Sequence, residues 1–390
     1  MDYKFLLLLL FPIIWLMGAK YFLRATFNWA EFGISILVVF CASALFYYTG
    51  KYSIDDDTLV LNGKVTNKEV RTQNCPSGWV DSSDSFCSEY RTRQKRVYPD
   101  RCSTDSKGHR SCHARYKTQY NYTYPWERRW YVQDTFTKHQ MTRVDPQGAK
   151  EPNRWTVAYK GEPASDTQDY TNYVKAVPES LFNGTLGATY VTSVPSHPLV
   201  FDYYRTNHVI GYKTTAPTQL LQQLNLEIGN ILREDGFMYQ ANIIAVVTDI
   251  NDPEIRYAFE KAWVGGKKND IVVFIGRNET NSVVWADVMT WAHNYNNELF
   301  QVELRNAILG TQSIDPVLFA GIIHNNIKAN YKRPEMKDFE YLKERIQPPT
   351  WVLWVVGFIC FVFPIGFTFL FHFHDVDLFG EKKDNRKYPY

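Results

Sequence analysis

Residues 351–371 read WVLWVVGFICFVFPIGFTFLF, a run with no charged side chain. At 1.5 Å of rise per helical residue it is long enough to cross a hydrocarbon core of about 30 Å. Toward the amino terminus, residues 32–48 form a second apolar run and residues 5–19 a third. The polar stretch 51–348 between the second and last runs has room for two ordinary domains. These runs predict a membrane protein with three transmembrane helices, at about 5–22, 30–48 and 348–373, and one large body held to the lipid bilayer at both ends.

Short basic flanks set the orientation. Lys20 and Arg24 lie in the link between the first two runs, and Lys382, Lys383, Arg386 and Lys387 follow the last. Placing both clusters in the cytoplasm satisfies the positive-inside rule. The body is then extracytoplasmic and the tail 374–390 cytoplasmic. The first run is short, and reads either as a retained helix or as a signal peptide. No small-residue cleavage pattern follows it, and either reading leaves the body outside.

Cysteine usage agrees. Cys41 and Cys360 fall in apolar runs, whereas Cys75, Cys87, Cys102 and Cys112 cluster in one part of the body. An even set outside the cytoplasm reads as two disulfides with three possible pairings. His109 and His113 flank Cys112, which keeps a zinc site open as the rival, although paired C-x2-C knuckles are missing.

The net charge of +2 carries no information, because basic and acidic stretches cancel. Aromatic content of 16% favours a β-rich binding body over a disordered one. Residues 50–160 read as a β-rich, Cys-containing domain, with strand-like pieces at 58–70, 119–136 and 153–161 and a hairpin turn expected at Asn62-Gly63. Within it, Arg91, Arg93, Arg96, Arg115, Arg128 and Arg129 interleave with tyrosines. Cations beside rings are what single-stranded nucleic acid binders use. Outside the cytoplasm the same pattern reads as a solvated ribbon with guarded edges, or as a surface for anionic lipid or polysaccharide. Nucleic acid is not the expected partner.

Residues 161–215 read as a connector, with a short helix at 178–182 and one or two strands within 197–212. From Pro217 onward the periodicity changes. Leu220, Leu221, Leu224, Ile228, Ile231 and Leu232 share one helical face, which is expected to end near Gly236. Buried strands follow at 243–247, 271–275 and 283–289. Asp252-Pro253 and Asp315-Pro316 read as helix starts, and Gly265-Gly266 as a stop. The predicted order is helix-strand-helix-strand-strand-helix-helix, an α/β sandwich over 216–347.

The stretch from Ile243 through the strand at 283–289 resembles the TPM domain family, extracytoplasmic α/β modules usually anchored by a terminal membrane helix. The residues that carry the likeness are the strand 243–247, Tyr257-Ala258, Trp263, and Gly266-Lys267-Lys268-Asn269-Asp270 directly before the next strand. The glycine-rich turn that usually follows the family's third strand is absent, since Trp285-Ala286-Asp287 continues into Val288-Met289. The wider layout is similar to a membrane-protein family of tailed bacteriophages, through LNGKVTNKE (61–69), YTNYVKAVPESLF (170–182) and MKDFEYLKERIQPPTWV (336–352). That resemblance implies a bacterial inner membrane and a periplasmic body.

No P-loop, nucleophile elbow, H-E-x-x-H or dinucleotide fingerprint occurs. The best acidic set is Asp249, Asp252, Asp270 and Asp287 around the α/β strands, where hard oxygen ligands suit Ca²⁺ or Mg²⁺. Each has a plainer reading: Asp252 as a helix cap, Asp270 at a turn, Asp287 facing solvent. On that reading Asn at Asp270 or Asp287 changes stability by under about 1 kcal/mol. The expected function is a non-enzymatic, membrane-anchored envelope protein that binds an envelope or host component without a cofactor. The alternative is a membrane-anchored, metal-dependent phosphatase-like hydrolase.

Overall fold

The computed structural model describes residues 3–22, 29–104, 110–177, 190–291 and 297–373. The helix expected at 178–182, together with Arg24, His109 and the tail 374–390, lies outside them. The chain divides into two units.

The first unit (Met1–Thr58, Asp169–Asn183, Glu335–Tyr390) is built on three long helices, α1 (Tyr3–Phe22), α2 (Trp29–Tyr52) and α9 (Thr350–Phe373), and also holds the short α4 (Tyr173–Ala176). Among the described residues two helices, Trp29–Tyr52 and Thr350–Phe371, are long and apolar enough to cross a membrane, where three spans were expected. The apolar part of α1, Leu7–Tyr21, falls short of the roughly 20 residues a span needs. Only 22% of the apolar window of α2 and 33% of that of α9 is buried, so most of both surfaces calls for an apolar surrounding. α1 packs on both helices. The Phe5 ring lies 4.7 Å from Tyr47, Phe11 lies 4.0 Å from Phe361, and Trp15 Nε1 donates to Thr368 Oγ1 at 3.3 Å. A Cβ on Gly50 would sit 2.4 Å from Val352 Cγ2, the close approach that small residues supply between helices in lipid.

The second unit (Leu59–Gln168, Gly184–Pro334) holds both halves of the body. Its first sheet has the order β5-β4-β1-β6, from β1 (Asp56–Asn74), β4 (Trp126–Asp134), β5 (Lys138–Gln140) and β6 (Pro163–Thr171). Val65, Trp130, Val132, Met141 and Tyr204 pack together in its core. β1 runs straight through Asn62-Gly63, where a turn was expected. Asn62 is buried and donates to Ala241 O at 3.2 Å and to Asn242 Oδ1 at 3.0 Å. A Cβ on Gly63 would lie 2.5 Å from Thr135 Oγ1. The pair serves close approach, not chain reversal. Residues 153–161 hold α3 (Asn153–Val157) instead of a strand, because Pro152 leads a turn whose carbonyl accepts from the Trp155 and Thr156 amides. The expected connector supplies β6 to this sheet and β7 (Val209–Tyr212) to the next.

The second sheet has the order β10-β9-β8-β7, with β8 (Asn242–Thr248), β9 (Asp270–Arg277) and β10 (Val283–Met289). The predicted alternation is present: α5 (Thr218–Tyr239), β8, α6 (Ile255–Ala262), β9, β10, α7 (Asn297–Leu309), α8 (Pro316–Asn330). Asp315 caps α8 by accepting from the Val317 and Leu318 amides. α5 passes Gly236, whose added Cβ would meet Asn62 Cβ at 2.5 Å; the glycine is a packing site, and the helix ends at Tyr239 with Gln240 left-handed. Asp252 sits before α6 in a turn, accepting from the Glu254 amide at 2.9 Å, and is not the cap residue.

β7, β8 and β9 are parallel, and β10 is antiparallel to β9. Both crossovers step the same way across the sheet. Yet α5 packs with Ile243, Ala245 and Val247, whereas α6 packs with Ile244 and Val246 on the other face. The two crossovers therefore have opposite hand, and one is left-handed, against a rule kept by about 98% of such units.

A third, two-stranded sheet is the ribbon β2 (Tyr90–Thr104) with β3 (Arg110–Tyr122). Cys75–Cys87 ties the end of β1 to the chain entering β2, and Cys102–Cys112 joins facing ribbon positions. The sulfurs are bonded to each other, which removes the zinc alternative. Each bridge closes a short loop, with separations of 12 and 10 residues. Each should contribute about 2–3 kcal/mol by restricting the unfolded chain. Non-reducing peptide mapping of the purified protein should recover these two pairs; any other pairing, or four alkylatable thiols, contradicts them.

Candidate functional site

The four carboxylates proposed as metal ligands do not converge. Asp249 follows β8 at the carboxyl end of the parallel strands, whereas Asp270 opens β9 opposite Asn242 at the amino end. Seven residues of strand rise separate those levels, roughly 23 Å. Asp287 lies mid-strand opposite Phe274 and pairs with Arg256 at 3.2 Å. Asp252 accepts from the Tyr190 hydroxyl at 2.9 Å. Among the described residues no three of His, Cys, Asp and Glu gather where one ion would sit.

The carboxyl ends of parallel strands are where α/β sheets usually receive ligands. Here that end is filled. Arg277, 4% exposed, donates to Asp249 at 2.6 Å and to Thr214 and Thr215 at 3.2 and 2.7 Å. Thr214, Thr215 and the Thr215 amide also donate to Asp249. Burial alone would raise the Asp249 carboxyl, but Arg277 and the threonines hold it well below the carboxylate range. The Trp285 indole lies over Gly276, where a Cβ would be 2.0 Å from Nε1, and donates to Ile250 O at 2.9 Å.

Asp270 belongs to a buried polar chain at the opposite end. Ser165 donates to Asn62 Oδ1 at 2.7 Å, Asn62 to Asn242, and Asn242 to Asp270 Oδ1 at 2.8 Å. Asp270 Oδ2 accepts from the Lys267 amide and from His197 Nε2, both at 2.7 Å. The Gly266-to-Asp270 motif is thus a docking turn. Gly266 adopts φ of 74°, and Asn269 donates to Val60 O at 2.7 Å, fastening β1 to the α/β sheet. Sequence pattern flagged Asp270, but gave no sign of His197, Asn62 or Asn242, which lie up to 208 positions away and meet only through the fold.

His197 heads a strap across α6. Trp263 Nε1 donates to Pro195 O at 2.8 Å, and the His197 and Trp263 rings are 5.0 Å apart. Both nitrogens of His197 face oxygens that can only accept, Asp270 and Pro198 O, which suits a doubly protonated ring. Burial and nearby Lys267 disfavour that charge; Asp270 overrides them and holds His197 above its ordinary value. The contrast is His208, fully buried against Ile243 O and pushed down to about 4 by burial. Because His197 is raised, its contribution is fully present below its ordinary value of about 6.5 and is lost as pH rises through the elevated value. Hydrogen-exchange protection of 190–198, corrected for intrinsic rates, should fall from pH 6 to pH 8.5 in the wild type. His197→Gln should flatten that dependence, and an equal fall in both proteins would count against the pair.

Of the basic residues singled out, four lie on the ribbon and two do not. Arg128 and Arg129 are on β4: Arg128 rests over Trp126 and Trp130, and Arg129 donates to Ser85 O and Phe86 O at 2.6 and 2.7 Å. Arg129 thus holds the loop that Cys75–Cys87 closes. Arg91, Arg93, Arg96 and Arg115 are on β2 and β3, all exposed. Arg96 pairs with Asp100 at 2.6 Å, and Arg93 lies 4.3 Å from the Trp79 ring. In the first unit, a cleft of about 960 Å³ is lined by Tyr48, Tyr52, Asp55, Tyr173 and Lys343 with apolar α2 residues below. Burial, with Asp56 adjacent, raises the Asp55 carboxyl above its usual range.

Comparison of the chain with protein-family models, with curated proteins and with solved structures gives no match to any of them.

Proposed function

We propose that the chain is a membrane-anchored envelope protein, phage-encoded and seated in a bacterial inner membrane, whose periplasmic body binds a partner and is not a catalyst. The observation that supports this most is how the polar groups are spent. The carboxylates that could serve chemistry are taken by Arg277, Arg256, His197, Asn242 and Tyr190, whereas the cations of the β2–β3 ribbon stand exposed. Two apolar helices and two disulfides support a bilayer anchor and an oxidising compartment. In this reading α1 completes a three-helix anchor, with Lys20 and Arg24 cytoplasmic and the α/β half a TPM-like module.

Alkaline phosphatase fused after Lys150 is expected to be active, and the same fusion after Tyr390 inactive; the reverse pair overturns the topology. The competing hydrolase reading predicts that millimolar Ca²⁺ or Mg²⁺ raises the melting temperature of the full chain, with the rise lost in Asp249→Asn or Asp287→Asn. No such rise is expected here.

A further inference from the structure

The sequence interleaves cations and tyrosines, and the ribbon register sorts them. Facing pairs Arg91/Asn121, Arg93/Gln119, Lys95/Lys117 and Val97/Arg115 lie on one face, and Arg101 facing His113 continues it. Tyr90/Tyr122, Thr92/Tyr120, Gln94/Thr118 and Arg96/Tyr116 lie on the other, since side chains alternate along a strand. One face therefore presents Arg91, Arg93, Lys95, Arg101, Arg115 and Lys117, all exposed, in a row one ribbon wide. Asp81 pairs with Lys117 at 3.5 Å and also feels the charge of Lys95. Among the described residues the side chains of Arg91, Lys95 and Arg115 make no hydrogen bond or ion pair. Lys95 and Lys117 stand directly opposite, an arrangement that opposes strand pairing; the single charge of Asp81 offsets one of the two and leaves a net cation for a further anion.

We infer that this face is the docking surface for a linear anionic polysaccharide, a conclusion that rests on the binding reading above and names its partner. Three observations select that chemistry. Base stacking needs rings beside the cations. Here Tyr90, Tyr116 and Tyr120 point the other way, and Tyr90 packs edge-on against Tyr120 and Tyr122 at 5.1 and 5.7 Å; the ring that does meet this face, Trp79, is already stacked on Arg93 at 4.3 Å. A lipid surface is a plane, and the strong twist of a two-stranded ribbon carries a narrow row of cations out of any plane. A flexible polymer can follow that twist, meeting Arg91, Arg93 and Lys95 about every 6.6 Å along β2 and Lys117 and Arg115 at the same spacing along β3.

The test uses the full chain in non-ionic micelles with alginate oligomers, a linear polyuronate, as probe. Saturable binding that weakens with salt is expected. The triple variant Arg91→Gln, Lys95→Gln, Arg115→Gln should weaken it by about tenfold or more, since three charges leave the row. Among the described residues none of the three side chains has an ion pair to lose, and formation of Cys102–Cys112 reports that the ribbon is intact; Lys95→Gln alone gives a milder variant with a smaller loss. Arg96→Gln, on the opposite face, should leave binding unchanged. Unchanged binding by the triple variant overturns the inference, as does tighter binding of oligothymidylate or of phosphatidylglycerol vesicles. If the wild type ignores alginate, the ribbon assignment falls, while the anchored binding body is still judged by the fusion pair and the divalent-ion test.

Discussion

Asp270→Asn is expected to destabilise the full chain by about 3–5 kcal/mol, the range for removing one partner of a buried pair. Asp270 is 1% exposed, and its two oxygens accept from His197, Asn242 and the Lys267 amide. An amide in its place points an NH₂ group at one of those donors whichever way it is turned. A buried donor is then unpaired at about 1–3 kcal/mol, and His197 loses its anion. The reading of Asp270 as a solvated turn residue predicted under about 1 kcal/mol and is reversed by its burial. Asp287→Asn is the internal control. Its side chain is 23% exposed and its partner Arg256 is equally accessible, so a change under about 1 kcal/mol is expected. Chemical unfolding of both variants in micelles separates the two positions, and equal small losses would remove the polar chain from any stabilising role.

Trp263→Ala is expected to cost about 3–5 kcal/mol. The residue ends α6, is 8% exposed, and packs with Ile255 and Phe259 as its place on the helical stripe predicted. The indole lies edge-on to Phe259 at 5.1 Å and holds Pro195 O. Its removal opens a cavity and frees the strap, so proteolysis near 190–198 should accelerate along with the loss of stability. Trp263→Phe keeps most of the apolar contact and loses only the hydrogen bond, about 1 kcal/mol. A loss below about 1 kcal/mol in the alanine variant would mean the strap and α6 do not share a core.

Local pattern determined much of this protein. The uncharged runs marked α2 and α9 because a bilayer-length stretch without charge needs no tertiary context. The 3.6-residue stripe of α5, the apolar runs of β8 and β9, and the Asp315 cap were legible for the same reason: each is fixed by residues a few positions apart. The four clustered cysteines announced two bridges, but only strand register decided that Cys102 faces Cys112. Tertiary structure alone decided the rest. Asn62-Gly63 has the composition of a turn, yet burial against Ala241 and Thr135 makes it the middle of a strand. Gly236 has the composition of a helix stop, yet the backbone of β1 passes too close for a side chain there. The opposite hands of the two crossovers, the closing of Arg277 on Asp249 and the His197–Asp270 pair all join residues far apart in sequence. The segregation of cations from tyrosines on the ribbon is of the same kind. A period-two alternation assigns faces only once the register, and the bulge that shifts it between Val97 and Arg101, are fixed by the partner strand.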